Sequence, residues 1–192
     1  MRLVAVILAA GESRRLGQPK QLVRVGSETL LGRTVRVAHE AGVDAVFVVL
    51  GAYAERIEAE AELCGAVVVK NPAWALGMAS SIHAGIAAVQ AEMPEAEAVM
   101  LLVCDQPRLR AEHLRALMER AEVRNSNIVA SEYVGTLGVP AVFPSRAFAR
   151  LMELHGDVGA RRLLQDKDVI RVAFEGGLVD VDTVDDLRAL EG

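Results

Sequence analysis

A short loop near the start of the chain is rich in residue types that bind phosphate. It follows the apolar run RLVAVILA and reads AAGESRRLGQPK. Gly11 and Gly17 would let backbone N–H groups approach an anion closely, because glycine has no Cβ in the way. Arg14, Arg15 and Lys20 add cationic donors on flexible side chains. The loop therefore predicts a polyphosphate site, with an ordinary charged surface loop as the alternative.

Carboxylates follow two other apolar runs and have the chemistry of metal ligands. Asp105 comes directly after AVMLLVC, where Pro107 stops the strand two residues later. Mg²⁺ prefers hard oxygen ligands and is usually held by one or two carboxylates together with substrate phosphates. Asp180 and Asp182 share one face of the run GLVDVD, near its end. These three are candidate metal ligands, and the alternative for each is a capping role at a loop or helix start.

Other common catalytic arrangements do not occur in the sequence. The first loop lacks the G-x-x-x-x-G-K-[ST] of a Walker loop and the G-x-G-x-x-G of a dinucleotide site. The four histidines have no spaced partners that would make a zinc site. They are His39, His83, His113 and His155. The sequence therefore offers neither a zinc centre nor a His or Cys catalytic pair.

Parallel strands are expected to bring the first loop and Asp105 together. Short apolar runs alternate with stretches whose apolar residues have helical spacing, such as ETLLGRTVRVAHEAG, MASSIHAGIAAVQAEM and AEHLRALMERAEV. The runs are apolar on both faces, which is typical of a mainly parallel sheet covered by helices. Ligands of such sheets bind beyond the carboxyl ends of the strands. Gly42 is placed to end the first helix.

The last third of the chain is less regular. NIVASEY, VPAVFP, VIRVAF and GLVDVD are predicted strands, and SRAFARLMELHG, GARRLLQD and TVDDLRALEG are predicted helices. Thr183 and Asp186 have the spacing of a capping box, with Asp in place of Glu. Gly135 and Gly138 mark a loop, and no linker or repeat divides the chain. We therefore expect one α/β domain over residues 1–192.

The composition limits the class of protein. With 192 residues, 52% of them hydrophobic, the chain can bury one full core. A formal net charge of −5 argues against a nucleic-acid binder, which usually carries a basic stripe. Cys64 and Cys104 are too few for a disulfide framework, which favours a cytoplasmic protein, and Cys104 is expected to be a buried small hydrophobe. We expect no signal peptide and no membrane span, since no segment has roughly 20 apolar residues.

The first loop carries a family resemblance. LAAGESRRLGQPK resembles the signature L-A-[AG]-G-x-S-x-R-x-G-x-x-K of the MobA-like nucleotidyltransferases, and is most similar to their molybdenum cofactor cytidylyltransferase branch. The matching positions are Leu8, Ala9, Gly11, Ser13, Arg15, Gly17 and Lys20. The resemblance covers nearly the whole chain and implies a three-layer α/β sandwich with a mostly parallel central sheet, Rossmann-like and of the nucleotide-diphospho-sugar transferase type. It implies that this loop, with Ala10, binds the nucleotide, that Arg15 and Lys20 hold the triphosphate, and that Arg14 is a spare charge.

Two further segments resemble metal-binding motifs of that family. DQP resembles the motif in which the aspartate, here Asp105, binds Mg²⁺. VDVDTVDDL resembles D-x-D-T-P-E-D-L, which contributes a second metal oxygen, here from Asp182 or, as second choice, Asp180. Val184 and Asp185 depart from that pattern at positions that concern helix initiation.

The same family resemblance implies which loops face the two substrates. NPAWALGMASSIHAG resembles the loop that faces the base and ribose, although capping and packing explain the segment better when it is taken alone. Its implied nucleotide-binding residues are Gly77, Met78 and Ser81. GTLGVPAVFP and HGDVGARRLL resemble segments near the acceptor, and a capping role is expected for Asp157. The implied acceptor-binding residues are Gly138, Pro140 and Arg161.

The implied reaction is transfer of CMP from CTP to the terminal phosphate of a molybdopterin-type acceptor, with release of pyrophosphate. Arg15, Lys20 and Asp105 are the implied catalytic residues, Mg²⁺ the implied cofactor, and a molybdenum enzyme a candidate client. No general base is needed, because a phosphate monoester is largely a dianion at neutral pH. The methyl group of Ala10 leaves less room beside the base than glycine would, which favours a pyrimidine.

Two alternatives to this function stay open. One is a guanylyl- or cytidylyltransferase of the same fold that acts on another acceptor, such as methylerythritol phosphate or a sugar phosphate. The other is a non-catalytic chaperone that binds the cofactor for a molybdenum enzyme. The enzymes would release pyrophosphate from a nucleoside triphosphate, and the chaperone would not.

Overall fold

A seven-stranded sheet forms the centre of the molecule. The computed structural model describes residues 1–124 and 127–178 together with Val181, Thr183 and Asp186. The strand order is β5-β4-β1-β6-β8-β7-β9. β8 runs antiparallel to both its neighbours, and the other described pairings in this sheet are parallel. The expected mostly parallel sheet is therefore confirmed.

The elements follow one another along the chain with short connections. The strands of the central sheet are β1 (Leu3–Ala9), β4 (Ala45–Leu50), β5 (Ala66–Lys70), β6 (Ala98–Val103), β7 (Val129–Tyr133), β8 (Thr136–Pro144) and β9 (Ile170–Ala173). A separate hairpin consists of β2 (Arg24–Val25) and β3 (Glu28–Thr29). The helices are α1 (Leu30–Ala41), α2 (Ala54–Glu60), α3 (Met78–Glu92), α4 (Ala111–Val123) and α5 (Phe148–Met152).

Alternation along β1 divides the core into two layers. Leu3, Ala5 and Ile7 pack in a cluster that includes residues of α1 and α4. Val4 and Val6 point the other way, into a cluster that includes residues of α3 and α5. Because successive side chains of a strand face opposite sides of a sheet, a strand buried on both faces needs helices on both. The three-layer α/β sandwich follows from this pattern and is confirmed.

Local sequence sets both ends of α1. The Thr29 hydroxyl accepts a hydrogen bond from the backbone N–H of Gly32 at 3.0 Å, which satisfies a donor that the helix leaves unpaired. Gly42 ends the helix with φ of 89°, a left-handed conformation that favours glycine. The predicted helix end at Gly42 is confirmed.

The last third departs from the predicted helices. SRAFARLMELHG forms a 3-10 turn followed by α5, which has five residues, and GARRLLQD contains the 3-10 helix Ala160–Gln165. Most of the predicted strand GLVDVD and helix TVDDLRALEG lies outside the described residues, but Gly177 and Leu178 belong to a 3-10 turn and not to a strand. The Thr183 hydroxyl accepts from the N–H of Asp186 at 3.3 Å, and the Asp186 carboxylate accepts from the N–H of Thr183 at 2.7 Å. The capping box is therefore confirmed.

Among the helices that the structure describes, none combines the length and apolar character needed to cross a lipid bilayer.

Candidate active site

A pocket of about 450 Å³ opens at the carboxyl ends of β1 and β6. This volume lies within the range of small-molecule sites, roughly 300–1,000 Å³. Its wall combines the first loop, the segment before α3, the end of β6 and one residue of a later loop. The lining residues are Leu8, Ala9, Ala10, Gly11, Glu12, Ser13, Arg14, Lys20, Gln21, Trp74, Ala75, Gly77, Met78, Ser81, Val103, Cys104, Asp105 and Asp157.

The first loop folds back on itself and returns Lys20 to the strand end. Ser13 has a positive φ of 56°, and its carbonyl accepts from the N–H of Leu16 at 3.0 Å, which closes a turn. The Ser13 hydroxyl also accepts from the N–H of Lys20 at 3.1 Å. A serine at this position therefore ties the beginning of the loop to its end.

Lys20 and Asp105 meet in this pocket. The Lys20 ammonium donates to the Asp105 carboxylate, with Nζ 2.5 Å from Oδ2. Both side chains are about one-fifth exposed, at 21% and 16%, so they can reach a ligand while remaining partly shielded from water. β1 and β6 are neighbours in the sheet, with Leu8 opposite Val103, and the segments that follow them start side by side. Parallel pairing thus brings together two residues that are 85 positions apart.

The two arginines of the first loop lie in different places relative to the pocket. Arg14, expected to be a spare charge, lines the pocket and forms an ion pair with Glu12, with Nε 2.7 Å from Oε2. This contact raises the pKa of Arg14 above its usual value. Arg15 is exposed and is not among the described residues that line the pocket. Its role on the triphosphate stays a prediction.

Cys104 contributes a wall of the pocket and no reactive thiolate. It is 2% exposed, and burial raises the pKa of its thiol to about 12, with the charge of Asp105 acting in the same direction. A thiol with such a pKa is neutral at physiological pH and is not a nucleophile. The expectation of a buried small hydrophobe is confirmed.

The opposite wall is built by two loops in close contact. Gly77 has a φ of 105°, and a Cβ placed on it would lie 2.4 Å from the carbonyl carbon of Gly156. The Gly156 carbonyl accepts from the N–H of Ala79 at 3.0 Å, at the start of α3. This docking brings Asp157 into the pocket. The expected capping role of Asp157 is wrong, because Gly159 precedes the 3-10 helix and no side chain caps it.

The hydroxyl groups of Ser80 and Ser81 both form hydrogen bonds within the protein. The Ser80 hydroxyl lies 2.8 Å from the Gly77 carbonyl oxygen, to which it can donate, and it does not cap the helix, because Gly77 is the N-cap residue and no side chain caps it. The Ser81 hydroxyl accepts from the Asn71 side-chain amide at 3.1 Å, and Ser81 is 5% exposed. Gly77, Met78 and Ser81 do line the pocket. Their contact with a nucleotide stays a prediction.

The expected acceptor residues lie outside the set that lines this pocket. Gly138 sits in β8, where a Cβ would overlap the Tyr133 hydroxyl at 1.8 Å, so its lack of a side chain has a packing reason. The Pro140 carbonyl accepts from the Ser131 hydroxyl at 2.7 Å. Arg161 is exposed in the 3-10 helix Ala160–Gln165. Their acceptor-binding role stays a prediction.

A single expected metal ligand falls within the described part of the chain. That residue is Asp105, while Asp180 and Asp182 lie outside it. Val181, between them, is buried and donates its N–H to the carbonyl of Asp105 at 2.9 Å. Over the described residues no three His, Cys, Asp or Glu side chains cluster as a complete metal site.

Sequence reasoning missed several residues that line the pocket, among them Gln21, Trp74 and Asp157. Gln21 and Trp74 adjoin predicted motif positions, but their burial against the strand ends depends on tertiary packing. Asp157 reaches the pocket only because Gly77 and Gly156 allow two distant loops to touch. Two glycines 79 positions apart give no local pattern that would have indicated this contact.

Comparison with curated proteins gives relatives with several functional names. The chain is 33% identical to the purine catabolism protein PucB of Bacillus subtilis, over 94% of this chain and 92% of PucB. It is 32% identical to nicotine blue oxidoreductase of Paenarthrobacter nicotinovorans, over 98% and 96%. A probable molybdenum cofactor guanylyltransferase of Opitutus terrae is 31% identical, over 77% of this chain and 69% of that protein.

Solved structures agree with the fold. Rv0371c of Mycobacterium tuberculosis, crystallised in complex with manganese, superposes with a TM-score of 0.78 at 31% identity, covering 99% of this chain and 98% of Rv0371c. The fold is that of the nucleotide-diphospho-sugar transferases.

The family model described as the MobA-like NTP transferase domain matches residues 5–172. This range contains most of β1, the first loop, Asp105 and all the residues that line the pocket. The chain is a nucleotidyltransferase by descent and belongs to the MobA-like NTP transferase family.

Proposed function

We propose that the protein is a divalent-metal-dependent cytidylyltransferase that transfers CMP from CTP to the terminal phosphate of a molybdopterin-type acceptor. The observation that carries the proposal is the meeting of Lys20 and Asp105 in one pocket beside a glycine-containing loop. A cationic side chain and a carboxylate in one cleft suit a ligand that has both a polyphosphate tail and a bound cation. The name of the guanylyltransferase relative supports an acceptor of the molybdenum cofactor type.

In the proposed reaction, an oxygen of the acceptor phosphate forms a bond to the α-phosphorus of CTP. The bond from that phosphorus to the oxygen bridging to the β-phosphate breaks, and pyrophosphate leaves with the electron pair. The acceptor is largely a dianion at neutral pH, so no protein base has to remove a proton. Lys20 would offset the charge that grows on the leaving group, and Arg15 is proposed to assist it. Catalysis then depends on positioning and charge.

Asp105 is the proposed protein ligand of the metal ion. The residue fits the role, since its oxygens are hard donors, it is partly exposed to the pocket, and it already attracts the Lys20 ammonium. We propose Asp182, with Asp180 as second choice, as a further ligand. The contact between Val181 and the Asp105 carbonyl supports this. A bound Mg²⁺ or Mn²⁺ would neutralise phosphate charge in the transition state, and the manganese complex of Rv0371c supports a divalent cation.

The end of β1 supports a preference for cytosine. Ala10 lines the pocket beside Gly11, and its methyl group reduces the space next to the base. A one-ring base needs less of that space than guanine. The guanylyltransferase relative makes GTP the main competitor, so the experiment has to compare both triphosphates.

The decisive experiment incubates the protein with molybdopterin, Mg²⁺ and each of the four nucleoside triphosphates in turn. Pyrophosphate release is measured, and the product is identified by mass. We expect the cytosine dinucleotide from CTP and little turnover with the other three. Product from GTP alone would overturn the base assignment, and CTP turnover with methylerythritol phosphate or a sugar phosphate would overturn the acceptor.

A non-catalytic carrier gives a different pattern. It would bind the pterin or the dinucleotide without releasing pyrophosphate from any triphosphate. The Lys20→Met variant serves as the matched inactive control, because it keeps the length of the side chain and removes its charge. Equal pyrophosphate release by this variant and the natural protein would contradict the proposed site.

A further inference from the structure

Gln21 is buried at the base of the first loop, next to Lys20. It is fully buried and lies in the 3-10 turn Lys20–Leu22. Its side-chain amide donates to the carbonyl oxygens of Ala9 at 2.7 Å and Gly11 at 3.0 Å. Both hydrogens of the amide are therefore spent on the first residues of the loop, while the backbone of Gln21 belongs to its end.

The loop base is held from a second direction as well. The carbonyl of Ala10, between those two residues, accepts from the N–H of Ala52 at 3.0 Å. Three successive carbonyls thus have fixed partners. Because the C=O and the following N–H of a planar peptide point in opposite directions, these bonds also fix where the N–H groups of Ala10 and Glu12 point. The amide of Gln21 sets two of the three orientations.

The same amide leaves a buried acceptor without a partner. The Oε1 atom of Gln21 is inaccessible to solvent and has no hydrogen-bond partner within the described structure. Exchanging the amide oxygen and nitrogen would not help, since the oxygen would then face two carbonyl oxygens. An unsatisfied buried acceptor is costly and offsets what the two donated bonds contribute to stability. A buried amide whose two bonds are offset in this way is a candidate for a positioning role.

We propose that Gln21 is a positioning residue. Its two hydrogen bonds, here called the clasp, join the two ends of the first loop and thereby hold the Lys20 ammonium beside Asp105. The inference rests on the proposed function for the identity of the ligand. Together with the bond from the Lys20 N–H to the Ser13 hydroxyl, the clasp fixes the span of the loop. Without it, the loop would open and Lys20 would reach the triphosphate less well.

Gln21→Met tests the clasp because methionine has nearly the same size but no amide. Trp74, the only tryptophan in the sequence, lines the pocket, so its fluorescence can report nucleotide binding without turnover. We expect the affinity for CTP and kcat/KM each to fall about tenfold to a hundredfold, the range for a small misplacement of a catalytic group. The thermal midpoint should stay within about 2 °C of the natural protein, since the orphaned acceptor is also removed.

A double mutant with Lys20→Met shows whether Gln21 acts by positioning Lys20 or only by packing. In a Lys20→Met background, adding Gln21→Met should lower CTP affinity much less than it does in the natural protein, because the charged group that the clasp positions is gone. Gln90→Met makes the same replacement on the exposed face of α3 and should change neither affinity nor turnover. If Gln21→Met loses affinity equally in both backgrounds, or retains full affinity alone, the proposal is overturned.

A loss of folding would call for a second variant. If Gln21→Met lowers the thermal midpoint strongly, Gln21→Leu replaces it and is measured well below its own thermal midpoint, since leucine also lacks the amide and buries no charge. Loss of CTP affinity in that folded variant supports the clasp, and retained affinity refutes it. Failure of the natural protein to bind CTP would instead refute the proposed function, which distinguishes the two failures.

Discussion

At the scale of single residues, the pairing of Lys20 with Asp105 explains how the sequence motifs become one site. Each residue follows a different buried strand, and each would be an ordinary surface charge without the other. Their ion pair is partly shielded from water, and a ligand that enters can take over both partners. The pair therefore fixes both side chains at the adjoining strand ends.

Asp105→Asn should abolish turnover and leave the protein folded. The amide keeps the shape of the side chain but removes the charge that would hold a cation, and loss of a central electrostatic contact typically costs about 10²–10³ in rate. Pyrophosphate release measures turnover, and circular dichroism with thermal melting measures folding. Asp168→Asn, an exposed aspartate away from the pocket, is the matched control. Near-normal turnover of Asp105→Asn with Mg²⁺ would contradict the metal assignment.

We expect His113 to make the stability of the protein sensitive to mild acid. Its ring stacks on Phe174 with centroids 4.2 Å apart, and its Nε2 lies 2.7 Å from the Ser131 hydroxyl oxygen. Because the Ser131 hydrogen goes to the Pro140 carbonyl, His113 is the donor in that contact. Burial lowers the pKa of His113 to about 4 from the usual 6.5. Between these values the unfolded chain binds more protons than the folded one, so stability falls as the pH falls.

Urea denaturation at a series of pH values checks this expectation. The unfolding midpoint of the natural protein should decline from about pH 6.5 towards pH 4, and less steeply in His113→Gln, which keeps a donor but cannot titrate. His155→Gln removes an exposed histidine and should follow the natural protein. Parallel curves for all three proteins would show that His113 does not contribute.

Sequence predicted the residues whose chemistry is local and missed those that depend on contacts. Lys20 and Asp105 stand in recognisable settings, a glycine-containing loop and a strand end, and the pocket contains both. Gln21 and Asp157 carry no such signal, because an amide becomes a clasp and an acid becomes part of a pocket only through tertiary packing. The place of Arg14 in the pocket lining has the same origin, since the course of the loop and the contact with Glu12 decide where its side chain lies.

At the scale of elements, regular strands and helices were predictable where burial imposes a strict pattern. β1, β4 and β6 are buried on both faces, and their runs of Val, Ile, Leu and Ala fit no other place. α5 has five residues and relies on its packing against α3 and neighbouring segments. A helix that short is not stable by its own propensity, so its spacing alone overestimates its length. Tertiary contacts set the limits of such elements.

Gly77→Ala should break the wall of the pocket opposite Lys20. The added methyl group would lie 2.4 Å from the Gly156 carbonyl carbon, in a backbone conformation that alanine rarely adopts. We expect a loss of about 2–4 kcal/mol in the free energy of unfolding, the range for a rigid backbone clash, and a weaker affinity for nucleotide. Urea denaturation and Trp74 fluorescence measure the two effects.

Gly26→Ala separates the two causes of that loss. Gly26 also has a positive φ, 67°, but a Cβ added to it would have no heavy atom within 4 Å apart from its chain neighbours. Its replacement should cost about 1–2 kcal/mol, the conformational penalty alone, and leave nucleotide affinity unchanged. Equal effects of the two replacements on stability and binding would show that the contact between Gly77 and Gly156 is unimportant.

At the scale of the whole molecule, charges of both signs gather at one site. The net charge is −5, and Arg14 and Lys20 line the pocket together with Glu12, Asp105 and Asp157. The sheet explains how the charges can concentrate, because loops at the carboxyl ends of adjacent parallel strands meet at one edge. The hydrophobic layers on both sides of the sheet hold this edge in place. Ligand binding should therefore stabilise the fold that already exists.

Thermal melting with ligands tests that view and separates the roles of the two residues. CTP at about 100 times its Kd should add about 2.7 kcal/mol of stability, which corresponds to a rise of about 5–10 °C in Tm for a protein of this size. Mn²⁺ together with CTP should raise Tm further, and EDTA should remove that additional part. In Asp105→Asn we expect CTP alone to stabilise the protein while the metal adds nothing, because the cation has lost its protein ligand. In Lys20→Met we expect the stabilisation by CTP itself to shrink. If the metal raised Tm equally in Asp105→Asn and the natural protein, the cation would be bound elsewhere, and the edge of the sheet would not be where nucleotide and metal meet.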